Sequence, residues 1–530
     1  DSLSEHLARK ETALFDTYLR MLEDHTLNGE VCQRIRSGET APTALKYVVL
    51  DLVARFEAMD DAYLKERATD LLDLGRRILA KLLHEQSESF EYPDDVILIA
   101  EEVTPVMLGE VVTKSLKAIV SIKGSANSHV AILARGLGIP AVMGAVDLPL
   151  SDISGAHLII DGWRGEVIVE PSEHVLSEYQ RAIDDAAILE MDLEQVEPGT
   201  ATTYDGTRVH LMLNSGPFGD LSNRQRSFID GVGLYRTEFI FLARSRFPTE
   251  DEQESEYRAE LETYAPMPVV MRTLDIGGDK SLPYFSIEEE NPFLGWRGIR
   301  VTLDHPEIFL TQIRAMLRAD SGSGNLRILL PMITTLEELR ASRALIERVV
   351  LELRAEGTRV TTPEVGVMIE VPSAVYLAPE LATEADFLSV GSNDLTQYLL
   401  AVDRTNSRVA DIFDGFHPAV LRALEITSKA GVNADIPVAL CGEMAGDPLA
   451  AVLLVGVGFN ELSMSSAALV SVKRALGAFH LRECKQLAAK ALKSESGEHV
   501  LRIVGHAFMG KQLNLLVPPN LRESLEMEVS

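Results

Sequence analysis

After residue 200 the sequence repeats one pattern, a short apolar segment followed by a helical stretch, and this repetition constrains the fold most strongly. The short segments are rich in β-branched residues, as buried strands are, and the stretches between them have helical period. Strands that alternate with helices pair in parallel, so eight such units predict a (β/α)8 barrel with its active site at the carboxyl ends of the strands. The predicted strands are 209–213, 233–235, 269–272, 328–331, 365–369, 387–390, 438–440 and 461–464.

Changes of period and charge divide the chain into four predicted parts. Residues 1–90 have helical period and predict four helices packed as hairpins. Residues 91–172 change to short β-rich runs and predict a small α/β unit, and residues 173–200 predict a linker helix. The barrel takes residues 201–517, so the predicted fold class is α/β. The strands of the small unit are predicted at 96–100, 118–122, 158–160 and 167–169, with a helical run at 130–136.

The composition excludes several classes of protein. Lys and Arg sum to 50 against 80 Asp and Glu, and a formal charge of −30 argues against a nucleic-acid partner. The longest uncharged apolar run, 448–459, is shorter than the ~20 residues of a membrane span, so no membrane partner is expected. Three cysteines form no disulfide framework and favour a reducing, cytoplasmic compartment.

Arginines recur where the predicted strands end. An arginine at the rim of a barrel is commonly a salt-bridge partner, but its recurrence at several strand ends favours an anion-binding site. The guanidinium group is always charged and presents forked donors that suit a phosphate or a carboxylate. The four candidates are Arg236, Arg272, Arg297 and Arg404.

Carboxylates follow two neighbouring predicted strands. Glu370 comes after the fifth strand and Asp394 after the sixth. Two hard oxygen ligands with open positions are typical of a Mg²⁺ site, and a metal with arginines is recurring equipment of phosphoryl transfer. Cys441 follows the seventh strand; a lone cysteine is commonly a small buried hydrophobe, but beside Gly442-Glu443 this one is a candidate acid.

His129 follows a predicted strand and opens a predicted helix in the small α/β unit. Free N–H groups and the positive end of the helix dipole suit a phosphate held on the imidazole. The alternative is a capping or packing histidine at a strand–turn–helix corner. No neighbouring side chains have metal-ligand spacing, which disfavours a metal role.

Long motifs give the chain a resemblance to a known family. Nearly end to end, the sequence resembles enzyme I of the bacterial phosphotransferase system, the phosphoenolpyruvate–protein phosphotransferases. The motifs that carry the resemblance are 233–238, 275–280, 291–297, 393–398 and 440–447.

The resemblance implies a division of labour among the predicted parts. The small α/β unit would swivel and carry the phosphoryl group on His129, and the helical part would dock a small histidine phosphocarrier protein. The barrel would bind phosphoenolpyruvate and Mg²⁺ and form a homodimer, with Glu370 and Asp394 as metal ligands and Cys441 as proton donor to the enolate. The implied substrate contacts are Arg236, Arg272, Arg297, Asn393, Asp394 and Arg404.

Two departures from the family pattern refine this expectation. Asn127-Ser128 precedes His129, whereas the sugar-transport branch has Thr-Ser at this place. In this respect the chain resembles the nitrogen-related branch of the family. That branch carries an N-terminal sensor domain of the GAF type, and the family has a further α/β segment before its helical part. The resemblance therefore implies a piece of a longer protein that lacks both.

Three alternatives remain beside this interpretation. A dikinase that makes phosphoenolpyruvate shares the histidine unit and the barrel, but residues 1–90 are too short for its nucleotide domain and lack a Gly-rich phosphate loop. A catalytically idle regulator would leave the set of Arg, Glu, Asp, His and Cys side chains unexplained. A Mg²⁺-dependent lyase that works through an enolate gives His129 no role.

Overall fold

The computed structural model describes most of the chain and divides it into two compact units. One unit comprises Asp1–Arg181 with Phe218–Asp220, and the other comprises Ala182–Pro217 with Leu221–Ser530. The ranges described are 25–57, 95–103, 116–123, 139–146, 155–162, 165–216, 221–242, 246–278, 289–404 and 408–529, with single residues and short stretches between them.

A helical pair opens the described part of the first unit. The helices His25–Arg36 and Ala41–Glu57 are separated by a turn in which Gly38 has φ +106°, a value that favours glycine. Their buried face includes Leu45 and Val48. The rest of the part predicted as four helices, residues 1–24 and most of 58–90, lies outside the described residues.

The segment predicted as a small α/β unit, 91–172, contains two sheets. In the first, β1 (Val96–Ala100), β2 (Leu116–Ser121) and β3 (Ala141–Met143) pair in parallel in that order. The second is an antiparallel hairpin of β4 (Leu158–Asp161) and β5 (Glu166–Val169). The four predicted strands are present, and β3 was missed.

A closed barrel of eight parallel strands dominates the second unit, as predicted. The eight strands, numbered from β7 (Arg208–Ser215) to β14 (Glu461–Met464), pair in chain order, and β14 also pairs with β7, for example Leu462 with Leu211, which closes the barrel. A short strand β6 (Ala201–Thr202) adds to β7 in antiparallel direction. The barrel strands are β7 Arg208–Ser215, β8 Gly231–Arg236, β9 Val269–Arg272, β10 Leu326–Leu330, β11 Glu364–Ile369, β12 Phe387–Val390, β13 Val438–Leu440 and β14 Glu461–Met464.

The barrel strands are apolar because both faces of a parallel barrel are buried. Ile328, Leu329 and Leu330 of β10 are all 0% exposed although they point alternately to the inside and the outside of the barrel. Leu329 contributes to an interior cluster that contains Cys441 together with residues from five strands. The interior of the barrel around Cys441 is therefore a packed apolar core.

Helices follow the barrel strands, and several begin with side-chain caps. Thr335 and Glu338 form a capping box at the start of Leu336–Ala355, and Asp447 caps Pro448–Val457. In the described part of the chain, no helix is both long and apolar enough to cross a bilayer. The helices of this unit are Asn223–Arg226, Glu238–Leu242, Glu250–Tyr264, Ile299–Asp304, Pro306–Ala319, Leu336–Ala355, Pro372–Tyr376, Ala378–Glu384, Ser392–Leu400, Pro418–Ala434, Pro448–Val457, Leu469–Leu476, Leu481–Ala491, Gly497–Gly510 and Pro519–Val529, with 3-10 turns at Pro292–Leu294, Ala410–Ile412, Glu443–Gly446 and Asn514–Leu516.

A helix, Glu173–Glu194, occupies most of the segment predicted as a linker helix, and basic side chains of the second unit bind the carboxyl end of this helix. Arg224 donates hydrogen bonds to the carbonyls of Leu193 (3.1 Å) and Glu194 (2.6 Å). Lys473 donates to the carbonyls just beyond the helix, those of Glu197 and Gly199. Cations suit the carboxyl end of a helix because the last carbonyls have no partners within the helix and the negative end of the helix dipole lies there.

The helix Leu336–Ala355 offers a matched test of the barrel core. Leu353 is 0% exposed and Leu351 is 65% exposed on the same helix. We expect Leu353→Ala to lower the free energy of unfolding by about 2–5 kcal/mol, because it leaves a cavity, and Leu351→Ala to change it by less than about 0.5 kcal/mol. Urea denaturation followed by circular dichroism measures both, and equal effects would contradict the packing described.

Candidate functional site

The predicted strand-end residues meet around one cavity of about 290 Å³ at the carboxyl ends of the barrel strands. Arg236 and Arg272 end β8 and β9, Glu370 directly follows β11, and Cys441 directly follows β13. Asn393 and Asp394 lie in the first turn of the helix after β12. The predicted residues that line the cavity are Arg236, Arg272, Glu370, Asn393, Asp394, Arg404 and Cys441, and the other lining residues include Leu234, Glu238, Lys280, Met368 and Glu443.

Arg297 is the one predicted barrel contact that does not line the cavity. Its side chain is 0% exposed, and its guanidinium lies between two carboxylates. Nε and Nη2 donate to Asp275 at 3.1 and 3.2 Å, and Nη1 and Nη2 donate to Asp394, both at 3.2 Å. The Asp394 carboxylate, which does line the cavity, is therefore held from behind in a bidentate pair.

Arg272 and Lys280 share two buried carboxylates. Both cations pair with Glu238, and both pair with Asp275, at 3.2 Å from Arg272 and 2.8 Å from Lys280. Burial alone would raise the pKa of Glu238 and Asp275, but the neighbouring cations outweigh it, so both pKa values lie below their ordinary range. These two carboxylates remain ionised and hold the cations at the cavity wall.

Three arginines of the cavity retain unused hydrogen-bonding capacity, and one of them is Arg272, whose buried Nε has no hydrogen-bond partner. Arg236 is exposed and forms no ion pair with any residue that the structure describes. Arg404 lies 3.7 Å from Asp394 through Nη2, while its buried Nη1 has no hydrogen-bond partner. Unpartnered forked donors at a cavity wall favour an anionic ligand with oxygen acceptors.

Glu370 is buried with one carboxylate oxygen unsatisfied. Oε1 accepts a hydrogen bond from the Met332 N–H at 2.7 Å, and Oε2 has no partner. Burial, and then the carboxylates of Asp394 and Asp275, raise the pKa of Glu370 above its ordinary value. A Cβ at Gly391 would lie 2.8 Å from Oε2, so glycine leaves this oxygen open.

A divalent cation fits this arrangement. Glu370 Oε2 has no hydrogen-bond partner, and the negative charge of Asp394 acts on the Glu370 carboxylate. A hard cation bound between these oxygens would neutralise both carboxylates. Among the described residues no group of three or more His, Cys, Asp or Glu side chains converges, so a metal here would take its remaining ligands from water or substrate.

Cys441 lies at the bottom of the cavity, 3% exposed. Its Sγ contacts the Val390 carbonyl at 3.5 Å. Burial raises the pKa of this thiol, so it stays protonated at neutral pH and is available as an acid. The structure thus places the candidate acid beside the charged wall.

Three charged groups of the site were not singled out from the sequence: Glu238, Asp275 and Lys280. All three lie within the motifs 233–238 and 275–280, so a signal was present, but their pairing requires the fold. Asn393 was predicted as a substrate contact, and its Oδ1 accepts a hydrogen bond from the Glu443 N–H at 3.1 Å. His129 lies outside the described residues.

Comparisons with known proteins give a consistent assignment along the chain. Residues 191–481 match the family described as PEP-utilising enzyme, PEP-binding domain. Residues 92–165 match the mobile domain of PEP-utilising enzymes, and residues 1–67 match their N-terminal domain.

Relatives align over almost the whole chain. A protein of Escherichia coli (strain K12) named phosphoenolpyruvate-dependent phosphotransferase system is 45% identical over 507 residues, which are 95% of this chain and 68% of that protein. A phosphoenolpyruvate-protein phosphotransferase of Staphylococcus carnosus is 37% identical over 508 residues, 95% of this chain and 88% of that protein. The solved N-terminal domain of Enzyme 1 - Nitrogen is 40% identical and covers 33% of this chain and 72% of that one, with a TM-score of 0.25.

The buried charge network predicts that loss of a buried carboxylate lowers the stability of the fold more than loss of an exposed one. Asp275 is 0% exposed and pairs with three cations. We expect Asp275→Asn to lower the free energy of unfolding by about 3–5 kcal/mol, because buried cations lose their partner. Asp251 pairs with Arg318 at 3.0 Å but its side chain is 83% exposed, so Asp251→Asn should cost less than about 1 kcal/mol. Urea denaturation compares the two; an equal loss would contradict the role given to Asp275.

Proposed function

Because the chain belongs to the family of phosphoenolpyruvate-protein phosphotransferases and is a transferase, we propose that it moves a phosphoryl group from phosphoenolpyruvate to its own His129. A second transfer would then pass the group to a histidine of a small phosphocarrier protein, and pyruvate would be released. The observation that carries this proposal is the cavity at the barrel mouth, where cations with unused donors surround a buried thiol.

The cations of the cavity suit the charges of the substrate. Phosphoenolpyruvate carries a phosphate and a carboxylate, and Arg236 and Arg404 have donors to offer both. Arg272 and Lys280 are held rigidly by their carboxylate partners, so they can stabilise charge on the transferred group without reorganising. Arg297 was predicted as a direct contact; its position supports a role through Asp394 instead.

Glu370 and Asp394 are the residues that would hold Mg²⁺. The unsatisfied Oε2 of Glu370 and the carboxylate of Asp394, fixed from behind by Arg297, support this assignment. When bound, the ion would neutralise negative charge on the substrate oxygens.

The bonds of the proposed reaction balance without further reagents. A ring nitrogen of His129 attacks phosphorus in line, so an N–P bond forms and the bridging P–O bond breaks. Its electron pair stays on the leaving oxygen as the enolate of pyruvate. The enolate carbon then takes the proton of the Cys441 thiol, a C–H bond replaces the S–H bond, and the thiolate regains a proton from water.

We assign the remaining roles by part of the chain. Residues 1–90 would dock the carrier, 91–172 would carry the phosphohistidine, 173–200 would link, and 201–517 would bind substrate and form a homodimer. Exposed apolar side chains on the helical pair support the docking role: Ile35, Tyr47 and Leu50 are 39%, 54% and 45% exposed.

The nitrogen-related branch is part of the proposal on sequence grounds alone. Asn127-Ser128 before His129 supports it. Incubation of the phosphorylated protein with carriers of the two branches tests this directly: faster transfer to the carrier of the sugar-transport branch would overturn the assignment.

Labelling with ³²P-phosphoenolpyruvate and Mg²⁺ tests the phosphohistidine step. We expect His129→Ala to abolish the label on the protein, because the acceptor is gone. His174, whose side chain is 81% exposed, provides the control, and His174→Ala should keep full labelling. Label retained on the His129 variant would sink the proposed function.

The same assay addresses the other components. Chelation of Mg²⁺ should remove the label, and addition of a carrier should discharge it. Formation of phosphoenolpyruvate from ATP and pyruvate would instead indicate the dikinase alternative.

Cys441→Ala tests the acid. We expect the rate of pyruvate formation to fall by roughly 10²- to 10⁴-fold, the usual contribution of a positioned acid. Cys484 is likewise buried, at 0% exposure, but lies in the helix Leu481–Ala491 and does not line the cavity, so Cys484→Ala should keep the wild-type rate. Coupled assay with lactate dehydrogenase measures both; a normal rate for the Cys441 variant would exclude it as the acid.

A further inference from the structure

Asn214 links three barrel strands at the carboxyl end. It lies near the end of β7, and its side-chain Nδ2 donates a hydrogen bond to the main-chain carbonyl of Cys441 at 3.1 Å, just beyond β13. Its Oδ1 accepts a hydrogen bond from Ser463 Oγ at 2.7 Å, on β14, which lies between those two strands. Asn214 therefore reaches across one strand to hold the next.

This bond completes the fixation of Cys441. The Cys441 N–H donates to the Val390 carbonyl at 3.0 Å, and Sγ contacts the same carbonyl at 3.5 Å. The β12 side of Cys441 is thus anchored by Val390, while the carbonyl on the other side is anchored by Asn214. Every polar atom of Cys441 has a partner, and Asn214 supplies the one that does not come from the neighbouring strand.

The surroundings fix the orientation of the Asn214 amide. Because Ser463 Oγ donates to Oδ1, the amide nitrogen faces Cys441. A Cβ at Gly233 would lie 2.5 Å from Ser463 Oγ, so the glycine of β8 leaves the space that this hydroxyl occupies. The amide is held by its own partner rather than free to turn.

We propose that Asn214 is a positioning residue that fixes the main chain of Cys441 and so the place from which Sγ delivers its proton to one face of the enolate. The inference rests on the proposed function, in which this thiol gives its proton to the enolate carbon. Asn214 is absent from the residues that line the cavity, so it acts only through Cys441. A small displacement of a catalytic acid lowers the rate strongly, by about 10²-fold for a misplacement of 1 Å.

The test combines kinetics with the stereochemistry of the product. Phosphoenolpyruvate stereospecifically deuterated at C3 is turned over in tritiated water, and the chirality of the pyruvate methyl group is determined. We expect the wild-type protein to give one configuration of the methyl group and Asn214→Ala to give a racemic product. In the variant the thiol is misplaced, so solvent protonates the enolate from either face. Its kcat should fall roughly 10- to 100-fold with KM within about twofold.

A matched control separates positioning from stability. Asn325 also donates its side-chain amide to main-chain carbonyls, those of Leu261 and Met267, but it precedes β10 at the opposite end of the barrel. Asn325→Ala should keep one configuration and the wild-type kcat per folded molecule. Chiral product from Asn214→Ala, with a kcat equal to that of Asn325→Ala, would overturn the inference.

Further variants keep the outcomes distinct. Where Asn214→Ala does not fold, Ser463→Ala, which removes only the bond that orients the amide, should give partial loss of chirality; unchanged chirality would refute the inference. The proposed function is judged separately, since its failure would show as absence of labelled protein and pyruvate from wild type itself.

Discussion

The candidate site depends on one buried electrostatic arrangement, the guanidinium of Arg297 between the carboxylates of Asp275 and Asp394. A buried charge requires an opposite charge and full hydrogen bonding, and Arg297 obtains both from the loop that carries Asp275 and from the first turn of the helix that carries Asp394. Asp275 passes the constraint on to Arg272 and Lys280. These five charged side chains therefore form one connected network beside the cavity.

The sequence predicted the barrel closely because parallel strands buried on both faces are unbroken apolar runs. Four strands, among them Val269–Arg272 and Phe387–Val390, have the predicted bounds. The strand Ala141–Met143 was missed because three residues next to a proline and a glycine give no periodic signal. Pattern recognition works where burial imposes a period and fails where an element is too short to show one.

The residue types of the site were predictable, but their partners were not. Strand-end position indicated Arg272, Glu370 and Cys441, since all strand ends of a parallel barrel meet on one face. Position along the chain could not show that Arg297 lies behind Asp394 rather than on the cavity wall, because that depends on contacts 97 residues apart. Asn214, whose partner Cys441 is 227 residues away, was invisible for the same reason.

A thiol that burial keeps protonated is a weak nucleophile, because the thiolate is the reactive form toward peroxides and alkylating agents. The proposed acid Cys441 is 3% exposed with a raised pKa. Oxidants that inactivate enzymes with exposed, acidic cysteines therefore find little thiolate here. The apolar surroundings that keep the thiol ready to donate its proton therefore also lower the fraction of thiolate open to such oxidants between turnovers.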